Sequence, residues 1–187
     1  QNVYPGFTNR VAARFSQRVF LSWPEGSKSF PAGRLTGNPV RRSVMEGLGT
    51  SRSDDPFCIV VLGGSQGAHA INQAVIDALP HFSNIGPTLR IIHQTGEQDF
   101  EWVNHAYRDH TIGAEVYSFI DDMAPVYRDA HLIVCRAGAT TLSEICAWGR
   151  AAVMVPYPFA SDDHQRKNAE TIVNAGAGIM ILEQDVT

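Results

Sequence analysis

From residue 57 onward the sequence alternates strand-like and helix-like segments, and this alternation constrains the fold more than any other feature. Phe57–Leu62 reads FCIVVL, a continuous apolar run rich in β-branched residues, which is typical of a strand buried on both faces. In the segment that follows, Ile71, Val75 and Leu79 fall on one helical face. One strand followed by one amphipathic helix is the repeating unit of an α/β fold.

The same alternation continues to the end of the chain. Further strands are predicted at 88–93, 114–119, 131–135, 152–155 and 178–182, and further helices at 98–107, 123–128, 141–148 and 164–174. Six strands separated by helices require right-handed crossovers between parallel neighbours. The predicted fold class is therefore α/β, a doubly wound parallel sheet of the Rossmann-like type.

Residues 1–42 do not share this alternation. The patterns there predict a helix at 9–18, a strand at 19–22 and a loop at 23–33. Pro39 restricts the backbone of Asn38 and interrupts any regular element, so the turn around Gly37 and Pro39 is the predicted boundary.

Charge is distributed unevenly along the chain. Residues 1–42 hold seven Lys or Arg and one acidic residue, a net charge of +6, whereas the whole chain has a net charge of −4. A basic arm of this kind can indicate an anionic partner, such as a membrane surface or nucleic acid. A solvated helix face is the alternative, since Arg10, Arg14 and Arg18 recur every four residues. The longest apolar stretch, 151–160, contains two prolines and is too short to cross a bilayer.

Two glycine-containing loops follow strands of the predicted sheet, where open parallel sheets bind ligands. In GGSQGA at 63–68, the glycines allow backbone N–H groups to converge on a phosphate, although a tight strand-to-helix turn is the alternative. In RAGATTLSE at 136–144, Thr141 and Glu144 match a capping box. The Glu144 carboxylate is equally suited to accept hydrogen bonds from ribose hydroxyls.

The loop SDDHQRKN at 161–168 offers several polar groups. A metal site formed by Asp162, Asp163 and His164 is disfavoured, because consecutive helical positions do not face one point. Side chains that bind sugar hydroxyls, or an aspartate that caps the helix, are the favoured interpretations.

Two further features carry weaker signals. In FIDDM at 119–123, Asp121 or Asp122 is predicted to cap the next helix, and the alternative is that the strand-end backbone contacts a planar base edge. His69 follows the glycine turn and could act as a base, but a lone histidine is more often a surface residue.

Taken together and in order, these loops resemble the MurG family of glycosyltransferases over nearly the whole chain. That family transfers N-acetylglucosamine (GlcNAc) from UDP-GlcNAc to the undecaprenyl-linked muramyl-pentapeptide lipid of peptidoglycan synthesis. The matching stretches are TGNPVR at 36–41, LGGSQGA at 62–68, HQTG at 93–96, FIDDM at 119–123, CRAGATTLSEI at 135–145 and DDHQRKNA at 162–169.

The resemblance implies a GT-B architecture, in which two Rossmann-like domains hold the substrates in the cleft between them. Residues 1–36 would then be the tail of the N-terminal acceptor domain and residues 37–56 the interdomain junction. Residues 57–187 would form the UDP-GlcNAc-binding Rossmann-like domain, which is expected to be truncated at its C-terminus.

The resemblance also implies which residues bind the donor. They are Arg41 and the backbone of Ile120 near the uracil, Glu144 at the ribose, Gly64, Ser65, Gln66 and Gly67 at the diphosphate, Ala139, Thr140, Thr141 and Leu142 along the nucleotide, and His164, Gln165 and Asn168 at the GlcNAc.

The implied chemistry is inverting transfer without a metal or another cofactor, in which helix N-termini and loop amides stabilise the charge on the leaving diphosphate. The histidine usually proposed as the base lies in the N-terminal domain, so this chain is expected to bind UDP-GlcNAc weakly and to turn nothing over alone. The implied partners are the lipid acceptor, through the missing domain, and an anionic membrane surface in the full-length protein, with no nucleic acid. The implied location is peripheral, on the cytoplasmic face of the bacterial plasma membrane.

Two other functions remain open. The chain could be a separate donor subunit of a two-chain glycosyltransferase, or a non-catalytic UDP-sugar-binding module. A glycine-rich, histidine-containing loop upstream in the reading frame would distinguish them.

Overall fold

A parallel sheet with helices on both faces forms most of the computed structural model, which describes residues 2–50, 56–64, 67–110 and 112–186. The strands are β1 (Phe20–Leu21), β2 (Arg34–Leu35), β3 (Phe57–Leu62), β4 (Leu89–Gln94), β5 (Gly113–Tyr117), β6 (Leu132–Cys135), β7 (Ala151–Met154) and β8 (Gly178–Met180). The helices are α1 (Phe7–Ala13), α2 (Arg42–Met45), α3 (His69–Ala78), α4 (Phe100–Tyr107), α5 (Met123–Asp129), α6 (Ala139–Trp148) and α7 (His164–Asn174).

The main sheet has the strand order β5-β4-β3-β6-β7-β8, and every pairing in it is parallel. The predicted doubly wound parallel sheet is therefore confirmed. The chain runs outward from β3 to β5 and then returns to place β6 on the other side of β3. This reversal creates a topological switch point between β3 and β6, the position at which open α/β sheets bind ligands.

Side chains of β3 alternate between two apolar cores. Cys58, Val60 and Leu62 pack into a cluster with α5, α6 and α7, whereas Val61 belongs to a cluster with α3 and α4. Burial on both faces explains why β3 reads as a continuous apolar run rather than an alternating one. The two cores fix the carboxyl ends of β3 and β6 relative to the helices that follow them.

The N-terminal elements differ from the prediction in extent and pairing. The helix predicted at 9–18 is α1, which begins earlier and ends at Ala13, and each of its residues is exposed or half-buried. β1 and β2 pair with each other in a separate two-stranded parallel sheet. The domain boundaries at 36/37 and 56/57 remain a prediction.

The segment between β2 and β3 is anchored to the main sheet's helices. Val44 of α2 is buried in the core, and the indole of Trp148 donates a hydrogen bond of 2.8 Å to its carbonyl oxygen. Arg41 lies at the N-terminus of this helix. The anchor therefore holds Arg41 at the carboxyl edge of the main sheet.

Candidate functional site

A cleft of about 160 Å³ lies at the switch point between β3 and β6. Its lining is drawn from the loops after β3, β4, β5 and β6, together with the start of α2. The lining residues are Arg41, Leu62, Gly64, Gln94, Phe119, Ile120, Met123, Tyr127, Arg136, Thr141 and Glu144. Larger hollows exist on other surfaces, but this one lies where a doubly wound sheet presents its helix N-termini.

The glycine loop after β3 packs against the end of β4. The amide of Gly63 donates to the carbonyl oxygen of Gln94 at 3.0 Å, and the Gln94 side-chain amide donates to the carbonyl oxygen of Gly64 at 3.0 Å. Gly64 and Gly67 have φ angles of 78° and 80°, a region that only glycine adopts freely. Ser65 and Gln66, predicted at the diphosphate, lie outside the described residues.

A single methyl group at Gly67 is expected to disrupt this loop. A Cβ there would lie 2.6 Å from the carbonyl oxygen of Thr95, whereas a Cβ at Gly64 meets no described atom within 4 Å. Gly64→Ala therefore isolates the cost of the positive φ, about 1 kcal/mol, and Gly67→Ala adds the clash, for a total of about 3 kcal/mol. Urea unfolding of both variants measures the two costs. Equal losses of stability would show that the loop does not pack on Thr95 as described.

Helix α6 begins two residues earlier than predicted. Its first residue is Ala139 and its N-cap is Gly138, so Thr141 lies inside the first turn. The capping-box interpretation of Thr141 and Glu144 is therefore wrong, because the local pattern is overridden by the earlier helix start. Thr141 lines the cleft, Thr140 is exposed, and the side chain of Leu142 is fully buried in the core.

Glu144 is the central charged group of the cleft. Its residue is only 3% exposed, and its Oε2 accepts a hydrogen bond of 2.8 Å from the hydroxyl of Tyr127, which is 1% exposed. Its Oε1 accepts from Nε and Nη2 of Arg41 at 3.4 and 3.3 Å. A buried carboxylate with one exchangeable partner is suited to accept hydrogen bonds from a ligand's hydroxyl groups.

The loop after β5 shapes one wall of the cleft. Asp122 is the N-cap of α5, and its Oδ1 accepts a hydrogen bond of 3.2 Å from the amide of Ala124, so the predicted aspartate cap is confirmed. The cap holds Phe119 and Ile120 beside the cleft.

The residues on α7 that are predicted to bind the sugar differ in their contacts from the residues that are predicted to bind the nucleotide. The Oε1 of Gln165 accepts from the amides of Ala137 and Tyr157 at 3.2 and 3.0 Å, which links α7 to the loops after β6 and β7. Asn168 is fully buried, and its side chain donates to the carbonyl oxygen of Ala137 and accepts from the amide of Val3. The structure thus does not bring Asn168 to the surface of the cleft.

The start of α7 has an unusual backbone. Asp162 and Asp163 both have a φ of 54°, and the side chain of Asp163, at the N-cap, makes no cap hydrogen bond to the described backbone. An aspartate cap of this helix, one of the two favoured interpretations, is therefore not formed. The His164 ring lies against the carbonyl oxygen of Ser161, with Nδ1 at 2.7 Å.

His69 lies on the surface, as predicted for a lone histidine. Its side chain is 72% exposed, and Nδ1 lies 3.0 Å from Oδ2 of Asp99. The ring also meets Trp102 of α4 edge-on. Among the described residues, no group of three or more His, Cys, Asp or Glu is placed to hold a metal ion. No described helix is both long and apolar enough to span a membrane.

Several cleft residues carry no recognisable sequence signal. Tyr127 belongs to a helix with ordinary apolar periodicity, and nothing in the pattern places its hydroxyl on Glu144. Gln94 and Arg136 fall within motif stretches, but their types alone do not reveal that they line the cleft. These residues are identified only by the strand order, which brings the ends of four strands and the elements that follow them together at the cleft.

The chain is similar in sequence to one family of known glycosyltransferases. Residues 58–187 match the family described as the glycosyltransferase family 28 C-terminal domain. The chain is 49% identical, over 193 aligned residues, to the UDP-N-acetylglucosamine–N-acetylmuramyl-(pentapeptide) pyrophosphoryl-undecaprenol N-acetylglucosamine transferase of Geobacter metallireducens, covering 100% of the chain and 53% of that protein. A protein of the same name from Syntrophus aciditrophicus is 48% identical over 190 residues, with the same coverage.

Solved structures agree with these matches. The crystal structure of MurG from Acinetobacter baumannii superposes with a TM-score of 0.78 at 32% identity, covering 100% of this chain and 52% of that one. The resemblance predicted from the six motifs, and the assignment of the fold to the C-terminal part of such an enzyme, are thereby confirmed. The chain spans about half the length of the curated relatives it matches.

Proposed function

Because the chain belongs to glycosyltransferase family 28, whose C-terminal domain it contains, we propose that it supplies the donor-binding half of an inverting N-acetylglucosaminyltransferase. The donor is UDP-GlcNAc and the acceptor is the undecaprenyl-pyrophosphoryl muramyl-pentapeptide lipid, the pair named for the relatives. The observation that carries the proposal is the buried Glu144 carboxylate, which α6 presents to the switch-point cleft.

The cleft supplies the groups that a nucleoside diphosphate requires. Glu144 accepts hydrogen bonds from the ribose, while the backbone beside Ile120 and the Arg41 side chain lie near the base. The glycine loop and the N-termini of α3 and α6 face the diphosphate, where their N–H groups and helix dipoles favour negative charge.

In the proposed reaction, the acceptor hydroxyl oxygen forms a bond to the anomeric carbon of GlcNAc. The bond from that carbon to the diphosphate oxygen breaks on the opposite face, and UDP leaves with the bonding electron pair. The acceptor's proton goes to a base outside residues 1–187. This chain contributes by binding the donor and by stabilising the charge that grows on the leaving diphosphate.

A transfer assay tests this function. We expect the full-length protein to transfer labelled GlcNAc from UDP-GlcNAc to the lipid acceptor, and chain 1–187 alone to transfer none. Transfer by the chain alone would show that the acceptor site and base lie within it. No transfer by the full-length protein, together with intact UDP-GlcNAc binding, would favour a non-catalytic binding module.

We also propose that the full-length protein works at an anionic membrane surface. The support is the net charge of +6 in residues 1–42 together with the exposed side chains in α1 and just after it. Arg10 and Phe7 are exposed on α1, and Arg14, Phe15 and Arg18 are exposed in the segment that follows it. Basic residues near an anionic bilayer each contribute about 1 kcal/mol, and exposed aromatic rings partition into the interface.

Replacing Arg10, Arg14 and Arg18 together by glutamine is expected to weaken binding to anionic vesicles at least about tenfold. Co-sedimentation with vesicles containing phosphatidylglycerol measures the change, and vesicles of phosphatidylcholine alone serve as the control. The chain itself can be used, because the three arginines lie within it. Equal binding of the triple variant and the unsubstituted chain would assign these residues to an ordinary solvated surface.

A further inference from the structure

A buried tyrosine lies directly behind the proposed ribose-binding carboxylate. Tyr127 of α5 is 1% exposed, and its hydroxyl donates a hydrogen bond of 2.8 Å to Oε2 of Glu144. The ring belongs to the apolar core formed with α6, so packing fixes its orientation. One of the two carboxylate oxygens is therefore held by a rigid partner.

The other carboxylate oxygen has a different kind of partner. Oε1 accepts two long hydrogen bonds, of 3.3 and 3.4 Å, from Arg41, whose side chain is 61% exposed. A long and exposed side chain can leave this position at little cost, because it regains rotamer freedom and hydration. The carboxylate oxygen Oε2 thus has a fixed hydrogen-bond partner in Tyr127, whereas Oε1 has a partner in Arg41 that a ligand can replace.

We infer that Tyr127 is a positioning residue, which orients the Glu144 carboxylate so that Oε1 is presented to the ribose hydroxyls when the nucleotide displaces Arg41. The inference rests on the proposed function, since it requires a nucleotide in the cleft. Tyr127 has no direct contact with the ligand in this arrangement and acts through Glu144.

The chemistry of the phenol suits this role. Burial, followed by the negative charge of Glu144, raises the pKa of Tyr127 well above its usual range, so the hydroxyl keeps its proton and remains a donor. A hydrogen bond to a charged acceptor is stronger than one between neutral groups. Without it, the carboxylate can rotate about its last side-chain torsion, which is a soft one. The carboxylate would then present its oxygens to the ribose in several orientations.

Tyr127→Phe tests the inference, with UDP and 2′-deoxy-UDP as paired probes in calorimetric titrations of the full chain. We expect the unsubstituted chain to prefer UDP about tenfold, the effect of one hydrogen bond to a charged group. In Tyr127→Phe this preference should fall to about threefold or less, mainly through weaker UDP binding. If the ring had a purely structural role, the substitution would weaken the binding of both ligands equally. The ratio of the UDP affinity to the 2′-deoxy-UDP affinity would then stay unchanged.

Tyr107→Phe is the matched control. Tyr107 is 5% exposed and its hydroxyl lies 2.9 Å from Nδ1 of His93, so this variant also removes a buried tyrosine hydroxyl, but in the other core. The Tyr107→Phe variant should keep the full preference for UDP over 2′-deoxy-UDP. An unchanged ratio in Tyr127→Phe would overturn the inference while leaving the proposed function intact. Absence of UDP binding by the unsubstituted chain would overturn both.

A second measurement does not depend on the stability of the phenylalanine variant. The chain has five tyrosines, and 3-fluorotyrosine labelling allows the Tyr127 resonance to be assigned in ¹⁹F NMR by elimination, using variants of the other four. UDP should shift this resonance more than 2′-deoxy-UDP does, because the ribose hydroxyl acts on the carboxylate that the phenol contacts. Equal shifts with both ligands would contradict the inference.

Discussion

Glu144→Ala is expected to weaken UDP binding by about 100-fold while the chain remains folded. The carboxylate is 3% exposed and lines the cleft, so hydrogen bonds to it form with little competition from water. Hydrogen bonds to a charged group contribute about 1.5–3 kcal/mol each, and about 2.7 kcal/mol corresponds to 100-fold in affinity. The substitution also leaves the buried Tyr127 hydroxyl without its acceptor, which should lower the free energy of unfolding by about 1–3 kcal/mol.

Calorimetric titration with UDP measures the loss of affinity, and urea unfolding measures the loss of stability. Ser143→Ala is a matched control on the same helix, because its hydroxyl bonds back to the carbonyl oxygen of Ala139 at 2.7 Å. That variant should bind UDP like the unsubstituted chain. If Glu144→Ala bound UDP within about threefold of the unsubstituted chain, the carboxylate would not be a ribose ligand.

The second large effect is a loss of stability at acidic pH through His93. This imidazole is fully buried, and burial lowers the pKa of His93 to about 4 from 6.5. The unfolded chain therefore binds a proton near pH 6.5 that the folded chain does not bind until about pH 4. Stability from this group is present above pH 6.5 and is lost as the pH falls toward 4. The expected decrease in the free energy of unfolding between pH 7 and pH 4 is about 3 kcal/mol.

The hydrogen bonds of His93 explain why it remains neutral. Asn72 donates through its side-chain amide to Thr95 and Asp99, so its Oδ1 is the acceptor facing Nε2 of His93 at 3.0 Å. Nε2 therefore carries the proton, and Nδ1 accepts from the Tyr107 hydroxyl at 2.9 Å. Both nitrogens of the neutral ring are hydrogen-bonded. A second proton would place a charge in the core, and the nearby Asp99 carboxylate offsets this cost only in part.

Urea unfolding across pH 4–7 measures this effect in His93→Gln and in the unsubstituted chain. The variant should be less stable at pH 7 and should show a shallower dependence on pH. As the pH falls, protonation of carboxylates such as Glu115, whose pKa is lowered by a hydrogen bond from Arg90, destabilises both proteins. The difference between their two pH dependences therefore isolates the effect of His93. His81→Gln replaces an exposed imidazole and should keep the original slope. Parallel slopes for His93→Gln and the unsubstituted chain would contradict the assignment.

The secondary structure of the main domain is largely predictable from the sequence. Apolar periodicity predicts all six strands of the sheet, and the helix predicted at 164–174 has the bounds of α7. The start of α6 is mispredicted, because Thr141 and Glu144 fit a capping box while Gly138 already ends the loop. Strand order is not predictable from these patterns, since six similar apolar runs do not specify which of them are neighbours.

The cleft is less predictable, because its contacts join residues far apart in the chain. Arg41 and Glu144 are 103 positions apart, and Gly64 and Gln94 are 30 apart. Family resemblance predicts Glu144 and Arg41 as ligands, but it assigns no role to Tyr127, whose hydroxyl donates a hydrogen bond to the Glu144 carboxylate. The same resemblance assigns Asn168 to the sugar, and this role stays a prediction. In the structure its side chain hydrogen-bonds to Val3 near the start of the chain and to Ala137 in the loop after β6.

The central claim is that the switch-point cleft binds UDP-GlcNAc. Calorimetric titration of chain 1–187 with UDP-GlcNAc and with UDP-glucose tests it most directly, since the two donors differ only at the 2-position of the sugar. We expect UDP-GlcNAc to bind more tightly than UDP-glucose, to be displaced by UDP, and to lose its affinity in Glu144→Ala. Equal affinities for the two donors, or no binding of either, would contradict the claim.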